Sequence, residues 1–221
     1  MRVPAYILIC LFIAGASFAD DPADGIFISE VLYDPGAGYL PFIELYNAGK
    51  NNVELNDWRV RIASKNGVER ITLTNSQNIV IPGHGFYLIG RTVDKSAWAK
   101  ASFKPDFYCD LSMDFVEGEG GVILERPGGH KQDVVGWGPV RWPFYEGTQH
   151  PGVSRGHSLE RKSGMTHSEL NGNSYDTGDN MSDLRERSKP QPQNINSPRE
   201  SPSANTEGNA WGLIKAMYYE Q

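Results

Sequence analysis

Cysteine is nearly missing from this chain of 221 residues, which has two in all, so neither a disulfide framework nor a Cys-rich zinc site can organise it. Positive charge is in deficit. The 21 Lys+Arg are outnumbered by 27 Asp+Glu, for a net charge of -6, and such a surface repels the phosphate backbone that nucleic-acid binders neutralise. No apolar run reaches the roughly 18 residues that cross a bilayer, and no internal repeat is visible. Turn formers, in contrast, are plentiful, with 24 Gly and 14 Pro, which argues against a helical bundle and for many short elements. The length suits one domain with tails and is ample for a hydrophobic core.

Residues 1–19 have the layout of a secretory signal peptide: Arg2, an apolar stretch from Val3 to Ala14, and the small residues Ser17 and Ala19 flanking Phe18. Cleavage is expected after Ala19, giving a secreted, extracellular or periplasmic protein. Cys10 leaves with the leader, so Cys109 has no internal partner and reads as a small buried hydrophobe.

From Gly25 onward the apolar residues alternate over short runs: 26–33, 42–47, 58–63, 68–73, 85–91, 122–126, 132–137 and 158–161. In the clearest one, Trp58, Val60 and Ile62 share a face and Arg59 and Arg61 point the other way, as in a strand with one dry and one wet side. Asn66-Gly67 marks a hairpin between two such runs. Seven or more short strands without intervening helical periods predict an all-β sandwich. Residues 138–156 read as a long ordered loop and 189–208, rich in Pro, Ser, Asn and Gln, as the start of a linker. Residues 196–221 are thus expected to be a flexible linker and a tail. Within the tail Trp211, Ile214 and Tyr218 have the spacing of a short amphipathic helix.

The segments Ile28-Ser29-Glu30-Val31-Leu32-Tyr33-Asp34-Pro35, Phe42-Ile43-Glu44-Leu45-Tyr46-Asn47, Leu55-Asn56-Asp57-Trp58-Arg59-Val60 and Pro82-Gly83-His84-Gly85-Phe86-Tyr87-Leu88-Ile89, in that order, resemble the lamin-tail domain of exported prokaryotic proteins. Residues 120–138, Ser158-Leu159-Glu160-Arg161, Asp176-Thr177-Gly178-Asp179-Asn180 and Pro192-Gln193-Asn194 continue the likeness, which spans roughly residues 24–195. The resemblance implies an immunoglobulin-like β-sandwich over residues 20–195 and a binding or structural module rather than an enzyme. The chain has no a/d heptads and no prenylation Cys at its end, so the nuclear filament role of the eukaryotic relatives does not carry over.

Several side-chain groups could carry chemistry. Trp137, Trp142, Phe144 and Tyr145 could line an exposed surface for a sugar or a protein, or could close one end of the core, which large aromatics more often do. Asp176, Asp179, Asn180 and Asp183 supply hard oxygen atoms for calcium, although their spacing departs from the EF-hand pattern and turn capping explains them as well. No other cofactor is implied. Gly152-Val153-Ser154-Arg155-Gly156 matches the nucleophile-elbow string of serine hydrolases, but His157 and His167 precede the Asp176 cluster, and a loop replaces the strand–turn–helix that the motif needs. Glu30 and Glu44 could form a carboxylate pair for acid–base work, with a structural role, capping backbone amides or meeting an Arg at a sandwich edge, the favoured reading. His150, His157 and His167 lack zinc spacing. Asn180-Met181-Ser182 is a glycosylation sequon, which would suit an exposed loop. The expectation is a secreted, non-catalytic module that binds a protein or polysaccharide at the cell surface, without nucleic acid and without a membrane span. The alternatives are an extracellular hydrolase using Ser154 and a calcium-stabilised adhesion module.

Overall fold

The computed structural model describes residues 25–36, 39–74, 79–101, 103–113, 115 and 118–203. The expected leader (1–19) and the amphipathic segment of the tail lie outside these residues. The strands are β1 (Ile26–Leu32), β2 (Phe42–Asn47), β3 (Val53–Glu54), β4 (Arg59–Ser64), β5 (Gly67–Thr72), β6 (Val80–Ile81), β7 (Phe86–Arg91), β8 (Phe107–Cys109), β9 (Gly120–Glu125), β10 (Lys131–Trp137), β11 (Ser158–Arg161) and β12 (Leu184–Arg187). Two single-turn α-helices, α1 (Lys95–Trp98) and α2 (Asn180–Asp183), and a 3-10 turn at Thr92–Asp94 are the other elements among the described residues.

Six strands form one sheet in the order β12-β11-β1-β2-β7-β8, and four form the other as β10-β9-β4-β5. All neighbours are antiparallel except β7 and β8, and β3 and β6 make a small separate ribbon. The alternation along β4 appears as expected: Trp58, Val60 and Ile62 are buried while Arg59 and Arg61 are half-exposed. These residues meet Ile28, Ile43, Leu45, Ile89, Val122, Leu124 and Leu159 between the sheets, in the all-β sandwich anticipated from the pattern, immunoglobulin-like as the resemblance implied. The β4–β5 hairpin turns at Lys65-Asn66, with Gly67 taking the positive φ of 99° that a side chain resists. Cys109 is buried in the core, and burial pushes its thiol up to about 11, which keeps it an inert hydrophobe.

One-sided burial fails for the central strands. Every residue of β1 and β2 is buried, because the six-stranded sheet is covered on its outer face as well. The cover is the Pro- and Gln-rich stretch read above as the start of a linker. Residues 189–203 instead form a strap across the sheet, and the expected boundary at residue 195 falls inside it. Composition misleads here because the strap buries few apolar side chains and is held through its backbone. The Gln191, Gln193 and Ile195 amides donate to Glu30, Glu44 and Asp106 at 3.3, 2.5 and 3.1 Å. Farther on, the Glu200 amide donates to the His84 carbonyl, and the Tyr46 hydroxyl donates to the Glu200 carbonyl.

The four-stranded sheet has its own cover. Gly121 and Gly136 are paired across β9 and β10. A Cβ on either would lie 2.5 or 2.1 Å from the Phe144 carbonyl oxygen, so the two glycines let residues 138–150 lie flat on the sheet. Strands β3, β6 and β8 escape the sequence pattern because two or three residues are too few for a visible period.

Candidate functional site

The expected aromatic patch does not exist as one surface. Trp137 is fully buried and stacks on Tyr33 with ring centroids 4.3 Å apart. Phe144 is buried against Ile123, Val134 and Val140 beneath the Arg61 guanidinium. Tyr145 is half-buried, and only Trp142, 76% exposed, faces solvent. Burial of apolar area separates the four, since the loop uses its aromatics to cover β9 and β10.

The acidic cluster is likewise divided. Asp176 and Asp183 face Arg161, a fully buried guanidinium on β11, with N–O distances of 3.8 and 4.0 Å. Asp133, which the sequence pattern left unnoticed, takes the same guanidinium through both carboxylate oxygens at 2.7 and 2.8 Å and also accepts the Ile28 amide. Burial opposes the charge of Arg161, but Asp133, Asp176 and Asp183 outweigh it and raise its pKa. A cation of this chain thus already stands among the carboxylates. Asp179 turns away to cap α2 by accepting the Ser182 amide. Asn180 turns away too: it accepts the Gly136 and Glu146 amides and donates to the Val134 carbonyl. At 1% exposure, Asn180 is therefore not the exposed sequon expected from sequence.

Ser154, His157 and Glu186 do converge. The Ser154 amide and the His157 Nδ1 share one Glu186 oxygen at 2.9 and 2.6 Å, and these two bonds, with the Ser154 hydroxyl adding to them, lower the carboxylate's pKa. Hydroxyl and imidazole thus both address the acid. A relay requires the imidazole between them. His150 is buried and accepts the Gly152 amide at Nδ1. Glu160, His167 and Glu169 bring ligand-type atoms within 4.8 Å of one another. Arg185 and Arg187 pair with both of these carboxylates and supply the positive charge that a metal would bring.

Glu30 and Glu44 are directly paired across β1 and β2, with Glu160 opposite Glu30 on β11. Glu30 accepts the Ser158 hydroxyl and Glu44 the Ser29 hydroxyl, each in addition to its strap amide. Burial, then the Glu160 charge, raises Glu30 to about 7. Burial, then Glu30, raises Glu44 well above the usual carboxylate range. The row fastens the strap, in agreement with the amide-capping reading.

The strap also builds the feature that the sequence did not announce. Between its residues 190–198, the start of β2 and the segment from α1 to Phe103 lies a cavity of about 840 Å³. Phe42, Leu40 and Tyr39 line one side, Trp98 and Phe103 a second, and Pro190 and Pro192 the strap side. Its size falls within the range of about 300–1,000 Å³ usual for ligand pockets, and its walls are chiefly apolar, as theirs are. Trp98 is buried with Phe42 and Leu88, while Tyr39 is 40% exposed at the rim. No sequence motif marks this groove, because its walls come from segments more than 50 residues apart that only folding joins.

Comparisons with known proteins agree with this architecture. A family model described as Lamin Tail Domain matches residues 20–139. No curated protein is matched by the chain. Among solved structures, a DUF4876 family protein from Bacteroides thetaiotaomicron VPI-5482 is similar at a TM-score of 0.52 and 11% identity, over 82% of this chain and 75% of that one. At that identity the likeness concerns the fold alone.

Proposed function

Because this chain belongs to the lamin tail domain family, whose domains are generally non-catalytic, we propose that it is an exported, non-enzymatic recognition module that holds an apolar segment of a protein partner in the groove beneath the strap. The groove carries the reading: several aromatic side chains and three prolines surround about 840 Å³ of space, with Phe42 and Trp98 buried in its wall and Phe103 and Tyr39 left partly open to it. Aromatic and proline walls suit aliphatic or aromatic side chains presented by a peptide, since burial of apolar area drives such contacts. Polar groups are the smaller part of the lining, at Lys100, Gln191, Gln193 and Ser197, so apolar contact rather than a sugar's hydroxyl network is what the walls chiefly offer.

Peptide display on the chain from Asp20 onward tests the proposal. Selected peptides are expected to be rich in aromatic or aliphatic residues and to lose at least about tenfold in affinity, some 1.4 kcal/mol, when Ala101→Glu or Tyr39→Glu charges the groove. Peptides that bind both variants unchanged, or a selection that yields only glycans from a parallel array, would overturn it. The wiring around Glu186 gives a companion expectation: Ser154→Ala leaves any esterase activity of the preparation unaltered.

A further inference from the structure

The walls of the groove depart from the charge balance of the whole chain. Its lining and flanks come from residues 39–42, 95–105 and 188–199, which hold five basic residues and no Asp or Glu, although acids outnumber bases overall by 27 to 21. We infer that the groove takes an acidic protein segment, one whose apolar anchor is flanked by Asp or Glu side chains. The inference rests on the preceding reading of the groove as the recognition site and adds the chemistry of the partner.

Four of the five cations belong to the two walls of the groove. Lys100 lines it directly, and Lys104 follows the lining residue Phe103. On the strap, Lys189 precedes Pro190 and Arg199 follows Pro198, both of which line it. All four are exposed, and none of them makes an ion pair with a described residue. The fifth, Lys95, is set apart, with its ammonium 5.5 Å from the centroid of the Tyr108 ring. The walls are joined where the Asn194 side-chain amide donates to the Lys104 carbonyl at 2.9 Å. That bond holds the two pairs of charges on either side of one cavity.

The carboxylates nearest the groove are engaged elsewhere. Glu44 accepts the Gln193 amide, Asp106 the Ile195 amide and Glu200 the Gln193 side chain, while Asp94, just before α1, pairs with Arg91. These acids fasten the walls and leave the four exposed cations to a partner. Burial of an apolar anchor supplies attraction but discriminates poorly between anchors of similar size, whereas complementary charge selects the partner and speeds its approach. Each exposed pair changes affinity by only a few-fold, and salt screens it over about 10 Å at 0.1 M. An acidic partner is therefore recognised by salt dependence and by reversal of more than one cation.

The test selects displayed random peptides on the chain from Asp20 to Gln221 and measures labelled copies of them on variants of that chain. Selected peptides are expected to carry Asp or Glu within a few residues of an aromatic or aliphatic anchor. Lys100→Glu with Arg199→Glu should weaken their binding about tenfold or more while the thermal melt stays cooperative. Raising salt from about 0.05 to about 0.5 M should weaken the unaltered complex by a similar factor. Replacing the peptide's Asp or Glu by Lys should restore binding to the reversed variant, a rescue that loss of structure cannot give. Lys104→Glu with Lys189→Glu provides an independent reversal. Groove-dependent peptides without acidic residues, or unchanged affinity for both reversed variants, overturn the inference. In either case the recognition site stands if Ala101→Glu still abolishes binding. If no selected peptide depends on Tyr39 or Ala101, the recognition site itself fails and the inference with it. Vesicles of phosphatidylglycerol are the second probe. Capture of the chain by them, lost on Lys100→Glu with Arg199→Glu and with no acidic peptide selected, also overturns the inference, because the cations would then face a lipid surface.

Discussion

Arg161 is the residue on which the ends of the two sheets meet. Its guanidinium donates to Asp133 on β10, to the Ile28 carbonyl on β1 and to the Tyr175 carbonyl in the loop before α2. A buried charge that loses its partner is costly, about 3–5 kcal/mol, whereas replacing a whole buried pair by apolar side chains is often close to neutral. Asp133→Asn should therefore lower stability by about 3–5 kcal/mol in denaturant titration. The double replacement Asp133→Leu with Arg161→Met should recover much of that loss. Since the guanidinium stands where a cation would among Asp176 and Asp183, added calcium is expected to leave the melting temperature of the unaltered chain unchanged. A clear upward shift would restore the calcium-stabilised reading.

The strap shows how an element without an apolar face can be fixed. Pro190 and Pro192 have no amide hydrogen, so the amides of Gln191 and Gln193, and then of Ile195, are spaced two residues apart. Each meets a carboxylate: the buried Glu30 on β1 and Glu44 on β2, and the half-buried Asp106 just before β8. Hydrogen exchange should find these three amides protected although Gln191 and Ile195 are exposed side chains. Glu44→Ala leaves the Gln193 amide and the Ser29 hydroxyl without their acceptor. It is expected to cost about 1–3 kcal/mol and to speed exchange along the strap before the core strands respond. Unchanged exchange at Gln191 and Gln193 would show that the strap is held by other means.

At the scale of the whole molecule, these same carboxylates set the pH at which the fold is most stable. Burial raises Glu30 to about 7 and Asp106 to about 6, and it raises Glu44 as well. Between their ordinary values near 4 and these raised ones, the folded chain binds more protons than the unfolded chain, so stability falls as pH rises through that window. Glu169 works in the opposite sense. Despite some burial, Arg187 and Arg185 hold it at about 2, and its contribution is present above the usual carboxylate range and lost toward pH 2. This contribution is small, since Glu169 is largely exposed. Thermal melts should therefore peak near pH 4 and decline toward pH 7.5. Glu30→Gln, which keeps an acceptor oxygen but cannot ionise, should flatten that decline, and an undiminished slope would assign it elsewhere.

The β-sandwich was legible in the sequence because a strand buried on one side writes its two-residue period directly into the chain, as Trp58, Val60 and Ile62 do. Cys109 as a core residue and the amide-capping role of Glu30 and Glu44 could be read there too, since each follows from residue type and from neighbouring strands. What the alternation could not convey is a second cover. The full burial of β1 and β2, the fastening of a Pro/Gln stretch by backbone amides, and the dispersal of the aromatic and acidic clusters depend on which distant segment meets which. Trp137 and Trp142 are alike in composition and five residues apart, yet one is core and the other surface, because the chain turns between them. The groove lies at the same limit: Phe42, Trp98 and Pro192 carry no shared motif, and only tertiary contact makes them one surface. Local periodicity determines the strands and their layering, whereas a site built from far-separated segments exists only once loop closure has been overcome by the contacts it permits.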